Sequence, residues 1–348
     1  MAVYAIWNNK GGVGKSYLTF QIASEFARTH ADVPVVVVDI CPQANSSAML
    51  LGGMVRGEEE LDRLWGVPAR PTIAGYVRTR IQSPYDNPRT GSNGLLTPNS
   101  LNPNIPANLY LVPGDEELEL LSSRVSNACR PGPDDAWAKV HRWVTDLIED
   151  LKVYLNTWNL TVFLDCNPSF TVYTELALSS ADHLIVPFTA DGSSKRAVST
   201  VIRLLYGNGA SLQSDYFLYT QQFRLSKPRI YCYVGNRMTQ FLGSARAYRA
   251  VVEAIGKEIY GVWQTKPAVF SIHPDGSHTP RNRTEFDRMF RFEIPDANTA
   301  SVVSSALGIP IVSLRAGQYV VNSKAVLVNQ SQLDRQQPQM VQMVKLIE

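Results

Sequence analysis

The sequence predicts a doubly wound α/β fold, with a mainly parallel sheet covered by helices on both faces. Three observations carry this expectation. Short β-branched apolar runs recur ahead of turn-forming residues at 3–7, 35–39, 109–112, 161–165, 183–187, 230–234 and 309–312. Stretches with helical spacing separate them, notably 16–30, 136–155, 191–206, 239–258 and 297–307. A glycine-rich turn, Lys10-Gly11-Gly12-Val13-Gly14-Lys15-Ser16, joins the first strand to the first helix. Short buried strands alternating with helices form βαβ units, which place their strands in parallel.

The first run leads directly into the glycine turn with no charged leader before it, so it reads as a strand and not as a signal peptide. The second and fourth runs each end on an aspartate, Asp39 and Asp165. Two segments interrupt the rhythm as surface excursions from one domain spanning 1–348. Residues 66–108 are rich in Pro, Asn, Gly and Ser, and residues 261–295 carry His273, His278 and several arginines. Trp137 and Trp143, six apart in an expected helix, read as packing or partner contacts. The final stretch, 340–348, reads as a docked helix: its polar face holds one Lys and one Glu, too little charge for an anionic lipid surface.

Of the 348 residues, 45% are apolar and 18% charged, which places the chain among ordinary globular proteins. The formal charge of +2 gives no overall signature of a nucleic-acid binder, so such a surface has to be local. Cys41, Cys129, Cys166 and Cys232 are scattered without a Cys-x-x-Cys pair, against a disulfide framework or a zinc site and in keeping with a reducing cytoplasm. No apolar run approaches the roughly 20 residues of a membrane span, so stable membrane insertion is not expected.

The glycine turn carries the chemistry. A standard phosphate loop, Gly-x-x-x-x-Gly-Lys-Ser, would have Gly at position 9, where this chain has Asn9. What remains is a strand, a glycine turn and Lys15-Ser16 opening a helix, the setting in which backbone N–H groups converge on phosphate oxygens. Lys15 would neutralise phosphate charge and the Ser16 hydroxyl would ligate Mg²⁺.

Lys10-Gly11-Gly12-Val13-Gly14-Lys15-Ser16 resembles the deviant Walker loop of the ParA/MinD ATPases. Residues 37–45, Val-Val-Asp-Ile-Cys-Pro-Gln-Ala-Asn, resemble that family's first switch, and residues 163–169, Phe-Leu-Asp-Cys-Asn-Pro-Ser, its Walker B strand and second switch. Residues 181–187 and 294–310 are similar to a further core strand and the closing segment, so the resemblance covers most of the chain outside the excursions. It implies a P-loop fold that binds ATP and Mg²⁺ through Gly11, Gly12, Val13, Gly14, Lys15, Ser16 and Tyr17. Lys10 would reach the phosphates held by a partner copy. Asp165 would hold Mg²⁺ through water, and Asp39 would lie near the metal or the attacking water. Asn236, Arg237 and Pro295 are the implied adenine contacts.

Cys41 departs from the pattern, because the family has its second switch aspartate there. A neutral thiol is a weak donor and a weak acceptor and cannot supply a fixed carboxylate. Binding should therefore survive better than hydrolysis.

Between Asp215 and Glu253 there is no acidic residue, yet Arg224, Lys227, Arg229, Arg237, Arg246 and Arg249 all fall there. Such clustering suits sequence-independent attraction to a phosphate backbone, or else forms a solvated face. With the resemblance, the expectation is a cytoplasmic ATP-dependent dimerising switch. It would bind DNA nonspecifically, associate with the nucleoid, answer to a centromere-binding-type adaptor and position a DNA or protein cargo with slow hydrolysis. The alternatives are a nucleotide-bound scaffold with little turnover and a MinD-like membrane-associated ATPase.

Overall fold

The computed structural model describes residues 1–130, 132–189, 191–207, 213–238, 244–273 and 279–347, with the backbone only at 237–238 and 244–248. In chain order the elements begin with β1 (Ala2–Ile6), α1 (Lys15–Thr29), β2 (Val35–Ile40), α2 (Asn45–Leu51), α3 (Gly53–Trp65) and α4 (Ile73–Gln82). There follow β3 (Leu109–Val112), α5 (Leu118–Ala128), α6 (Ala136–His141), α7 (Trp143–Tyr154), β4 (Thr161–Cys166) and α8 (Val172–Ser180). The next group is β5 (His183–Phe188), α9 (Ser194–Tyr206), α10 (Asp215–Gln222), β6 (Arg229–Met238) and α11 (Ser244–Thr265). The chain closes with α12 (Arg283–Phe290), β7 (Arg291–Pro295), α13 (Thr299–Leu307), β8 (Gly317–Val321), β9 (Lys324–Val328) and α14 (Gln330–Val344).

Seven strands form one sheet in the order β3-β2-β4-β1-β5-β6-β7, and every pairing in it is parallel. This is the doubly wound fold expected. The reason is legible in β2, Val-Val-Val-Val-Asp-Ile, which is buried along its whole length. Side chains alternate across a strand, so Val36 and Val38 enter the apolar layer beneath α7 and α8, while Val35 and Val37 enter the one beneath α1 and α14. A strand buried on both faces cannot alternate apolar with polar.

The run at 309–312 is not a strand. Pro310 has no N–H to give a ladder, and Ile311–Ser313 closes a 3-10 turn. The seventh strand is β7, inside the segment read as a surface excursion; its alternation of charged and apolar residues, Arg-Phe-Glu-Ile, suits a strand at the sheet edge. That excursion also holds the end of α11 and all of α12, whose N-cap Asn282 accepts from Glu285 N at 3.0 Å. The first excursion contains α4, capped by Thr72. The expected helix at 136–155 is two helices, broken at Arg142. The first five residues of the one expected at 239–258 lie outside the described residues. Trp143 is fully buried, as packing required, with Nε1 donating to Pro84 O at 2.8 Å.

Register sets up the site. Asp39 on β2 lies opposite Asp165 on β4, and Asp165 lies opposite Ile6 at the end of β1. Both carboxylates and the glycine turn therefore meet at the C-terminal end of the sheet, where open α/β sheets hold ligands.

Candidate nucleotide site

The loop between β1 and α1 is shaped by two glycines. Gly12 and Gly14 have φ of 74° and 84°, left-handed conformations that residues with a Cβ rarely adopt. Gly14 has a second reason to lack a side chain, since a Cβ there would lie 2.1 Å from Asn236 Nδ2. Asn236 is fully buried, and Nδ2 donates to Val13 O at 3.0 Å. The sequence suggested that this amide contacts adenine; in the structure it buttresses the loop from within.

Lys15 curls back over the turn, with Nζ donating to Lys10 O at 2.8 Å and to Asn8 O at 3.4 Å. Burial pushes its pKa down, against the pull of Asp165 and of the Cys41 and Cys166 sulfurs. Lys10 faces the other way. Its ammonium is ion-paired with Asp191, at the approach to α9, and donates to Thr189 Oγ1 at 3.3 Å and Ser194 Oγ at 3.2 Å.

The two aspartates that register brings together differ in their partners. Asp39 is saturated: Oδ1 accepts from Cys41 N at 3.1 Å, and Oδ2 accepts from Ser46 Oγ at 2.8 Å, Ser47 N at 3.1 Å and Ser47 Oγ at 2.7 Å. It thus anchors the start of α2. Asp165 is also fully buried, but neither of its oxygens accepts a well-formed hydrogen bond, although the Ser16 and Ser46 hydroxyls lie near enough to lower its pKa. Burial, and then the charge of Asp39, outweigh that help and push it up to about 7. A buried carboxyl is normally hydrogen-bonded. One without a well-formed hydrogen bond, beside a lysine and a serine hydroxyl, has the hard-oxygen chemistry that a hydrated divalent cation satisfies.

Cys41 is 4% exposed, and its thiol is pushed far above the ordinary range by burial and by the Asp39 and Asp165 charges. It stands in the wall of a cleft of about 340 Å³ formed by Gly12, Gly14, Lys15 and Ser16 on one side and Met49, Met54 and Ser305 on the other.

Gln336 of α14 is the site residue that sequence reasoning missed. Tyr17 donates its hydroxyl to Gln336 Oε1 at 2.9 Å, and Gln336 Nε2 donates to Pro295 O at 3.1 Å. Two of the expected nucleotide contacts are thereby tied to the last helix. The signal was present, because Leu333, Gln336, Met340 and Met343 repeat at helical spacing and put one amide on an otherwise apolar buried face.

The expected basic segment is not one patch. Lys227 and Arg229 stand where β6 begins, with Arg224 in the loop before them, whereas Arg249 lies in the early turns of α11, which follows the other end of β6. Lys227 Nζ sits 4.3 Å from the centre of the Phe217 ring. The side chains of Arg237 and Arg246 lie outside the described residues.

A parallel seven-stranded sheet whose first strand opens through a glycine turn onto a Lys-Ser helix start has the P-loop NTPase fold. Residues 1–207 match a family model described as AAA domain, AAA_31, and the chain belongs to that family. A search of curated proteins finds no match. Among solved structures, an ATP complex of a Cyanothece McdA variant superposes with a TM-score of 0.60 at 13% identity, covering 99% of this chain and 95% of that one. Apo McdA gives 0.56 at 14% identity, with 89% and 91% covered. The pNOB8 ParA gives 0.51 at 15% identity, with 83% and 80% covered. At these identities the likeness is one of fold, and it is the ParA-like fold that the loop resemblance implied.

Proposed function

We propose that the chain is an ATP-binding switch of the ParA type, which dimerises around Mg²⁺-ATP and hydrolyses it slowly. The observation that carries this reading is Asp165, a fully buried carboxylate with no well-formed hydrogen bond, standing beside Lys15 and the hydroxyls of Ser16 and Ser46. Ser16 and, through water, Asp165 would hold Mg²⁺, which supplies charge neutralisation on the β- and γ-phosphates. Lys15 and the backbone N–H groups of residues 11–16 bind the phosphate oxygens. Asp39 holds the first switch in place through Ser46 and Ser47, and Lys10 serves the nucleotide of a second copy once it leaves Asp191.

Hydrolysis is slow in this reading because the Cys41 thiol stays protonated and offers no carboxylate to orient water. The same observation favours a second reading, a nucleotide-bound scaffold that seldom turns over. Arg249, with Arg246, and the separate group of Arg224, Lys227 and Arg229 are the candidate contacts for nonspecific DNA. An adaptor protein would stimulate release, and the working location would be the cytoplasm and nucleoid. Among the described residues no helix is long and apolar enough to cross a membrane.

Light scattering after size exclusion, in apo, ADP and ATP/Mg²⁺ states, tests the switch. A dimer that needs ATP is expected, and dimers formed equally with ADP would overturn it. Slow turnover that neither DNA nor any partner changes would move the assignment to the scaffold.

A further inference from the structure

Four helices, α5, α6, α8 and α10, end around a cavity of about 480 Å³ on the outer face of the molecule. Its volume falls within the range of small-molecule sites, roughly 300–1,000 Å³. Two helical spacings supply its walls: Trp137 and His141 lie four apart on α6, and Asp215, Tyr219 and Gln222 follow one face of α10. Trp137 lies 5.3 Å from Tyr219 and 5.9 Å from Phe223 between ring centres, and the second pair is within 17° of parallel. Three aromatic rings thus converge on one space.

The charges around those rings are mainly negative. Asp134, Glu175 and Asp215 line the cavity; Glu175 is engaged by His141, which leaves Asp134 and Asp215 as the free acids against one guanidinium, that of Arg130. Asp134 and Asp215 are exposed and make no ion pair among the described residues. Glu175 meets His141, whose Nε2 is 3.1 Å from Oε2 while Nδ1 is 2.8 Å from Trp137 O. The imidazole stacks on Trp137 at 3.6 Å, which fixes the indole plane, so the ring edges of Trp137 and the rings of Tyr219 and Phe223 are what the cavity offers a ligand. Aromatic faces bordered by carboxylates attract a cation by ring quadrupole and by charge together, and the apolar rings favour an organic cation over a hydrated metal ion. Among the described residues no group of acids, histidines and cysteines has metal-binding geometry.

We propose that this cavity is a binding site for an organic cation, an alkylammonium or guanidinium group, independent of the nucleotide cleft. The same chemistry is offered by a free amine and by a Lys or Arg side chain on a polypeptide.

Calorimetric titration of the full chain, without nucleotide, tests this with L-argininamide, spermidine and a blocked Ala-Arg-Ala tripeptide, with norleucinamide as the neutral control. The cations should bind and norleucinamide should not. Asp134→Asn with Asp215→Asn should weaken binding about tenfold or more, as loss of charge next to an aromatic site does, and Arg130→Gln should tighten it by removing the competing cation. Both changes fall on exposed side chains, so loss of fold does not confuse the result; Trp137→Leu, checked by thermal melting, should abolish binding. Preference for the tripeptide assigns the site to a polypeptide side chain, and preference for spermidine or argininamide assigns it to a free amine. Equal binding of norleucinamide, or an unchanged Kd in the Asp134→Asn/Asp215→Asn protein, overturns the proposal.

Discussion

Lys10 is ion-paired with Asp191 of its own chain, in a bond supported by Thr189 and Ser194. Burial pushes the Asp191 carboxyl up, but the hydrogen bonds from Lys10, Ser193 and Thr189 outweigh it and hold the group well below the usual carboxylate range. Side-chain exposures of 22% and 47% make this a partly solvated pair. Such pairs contribute about 0–1 kcal/mol, so the contact can be exchanged for a phosphate at small cost.

Asp191→Asn should therefore change stability by less than about 0.5 kcal/mol and lower the ATP concentration at which dimers form by a few-fold. Lys10→Ala should retain nucleotide through Lys15 and lose the dimer. Light scattering across an ATP titration reads both, and an Asp191→Asn protein that needs more ATP would count against a trans role for Lys10.

Asp165 makes stability depend on pH in a stated direction. An unfolded aspartate titrates near ~3.9, while in the fold this carboxyl is pushed up to about 7. Between those values the folded chain keeps a proton that the unfolded chain has lost, so stability falls as pH rises through the window and levels off above it. Asp165→Asn should flatten that slope in urea melts at pH 5 and pH 8, raise stability at the higher pH, and lose Mg²⁺-dependent nucleotide binding.

Cys41→Asp should raise single-turnover hydrolysis by about a hundredfold, the lower end of the scale on which a positioned acid–base group acts. The same change brings a third carboxylate toward Asp39 and Asp165, so without Mg²⁺ it should cost on the order of 1–3 kcal/mol of stability. Rapid-quench kinetics and denaturant melts would read the two effects separately. No gain in rate would return the slow step to another part of the site.

Gly14→Ala meets both a left-handed φ and the Asn236 amide. A cost of about 1–3 kcal/mol is expected from the backbone alone, together with loss of nucleotide binding. Adding Asn236→Ala removes the collision but not the φ, so the double variant should recover only part of the stability. Full recovery in thermal melts would show that contact, and not conformation, requires glycine there.

The fold was legible because β2 and β4 are apolar on both faces, and a strand of that kind needs helices above and below it. The loop was legible because Gly12, Gly14, Lys15 and Ser16 are adjacent in the chain and need no tertiary information to be read together. Asp39 and Asp165 could be picked out as strand ends, but their difference could not: Ser46 and Ser47 saturate one, and only the folded switch shows that. Gln336 was hidden by distance in sequence, although its place on an apolar helix face marked it. Strand β7 was hidden by its charge, since an edge strand carries arginine and glutamate where an inner strand cannot. The Trp137 cavity was beyond reach, because its rings come from α6 and α10 and its acids also from α8 and the loop before α6.

Because all seven strands run in parallel, the molecule has two unlike poles. Asp165 and the glycine turn occupy one, and Arg229 opens β6 at the other. Any flat polyanion gripping Lys227 and Arg229 would hold the molecule by its underside, with the mouth of the cleft pointing away and open to a second copy. Arg249, in the early turns of the helix that follows the far end of β6, belongs to the opposite pole, so attachment through one group or the other would turn the molecule over.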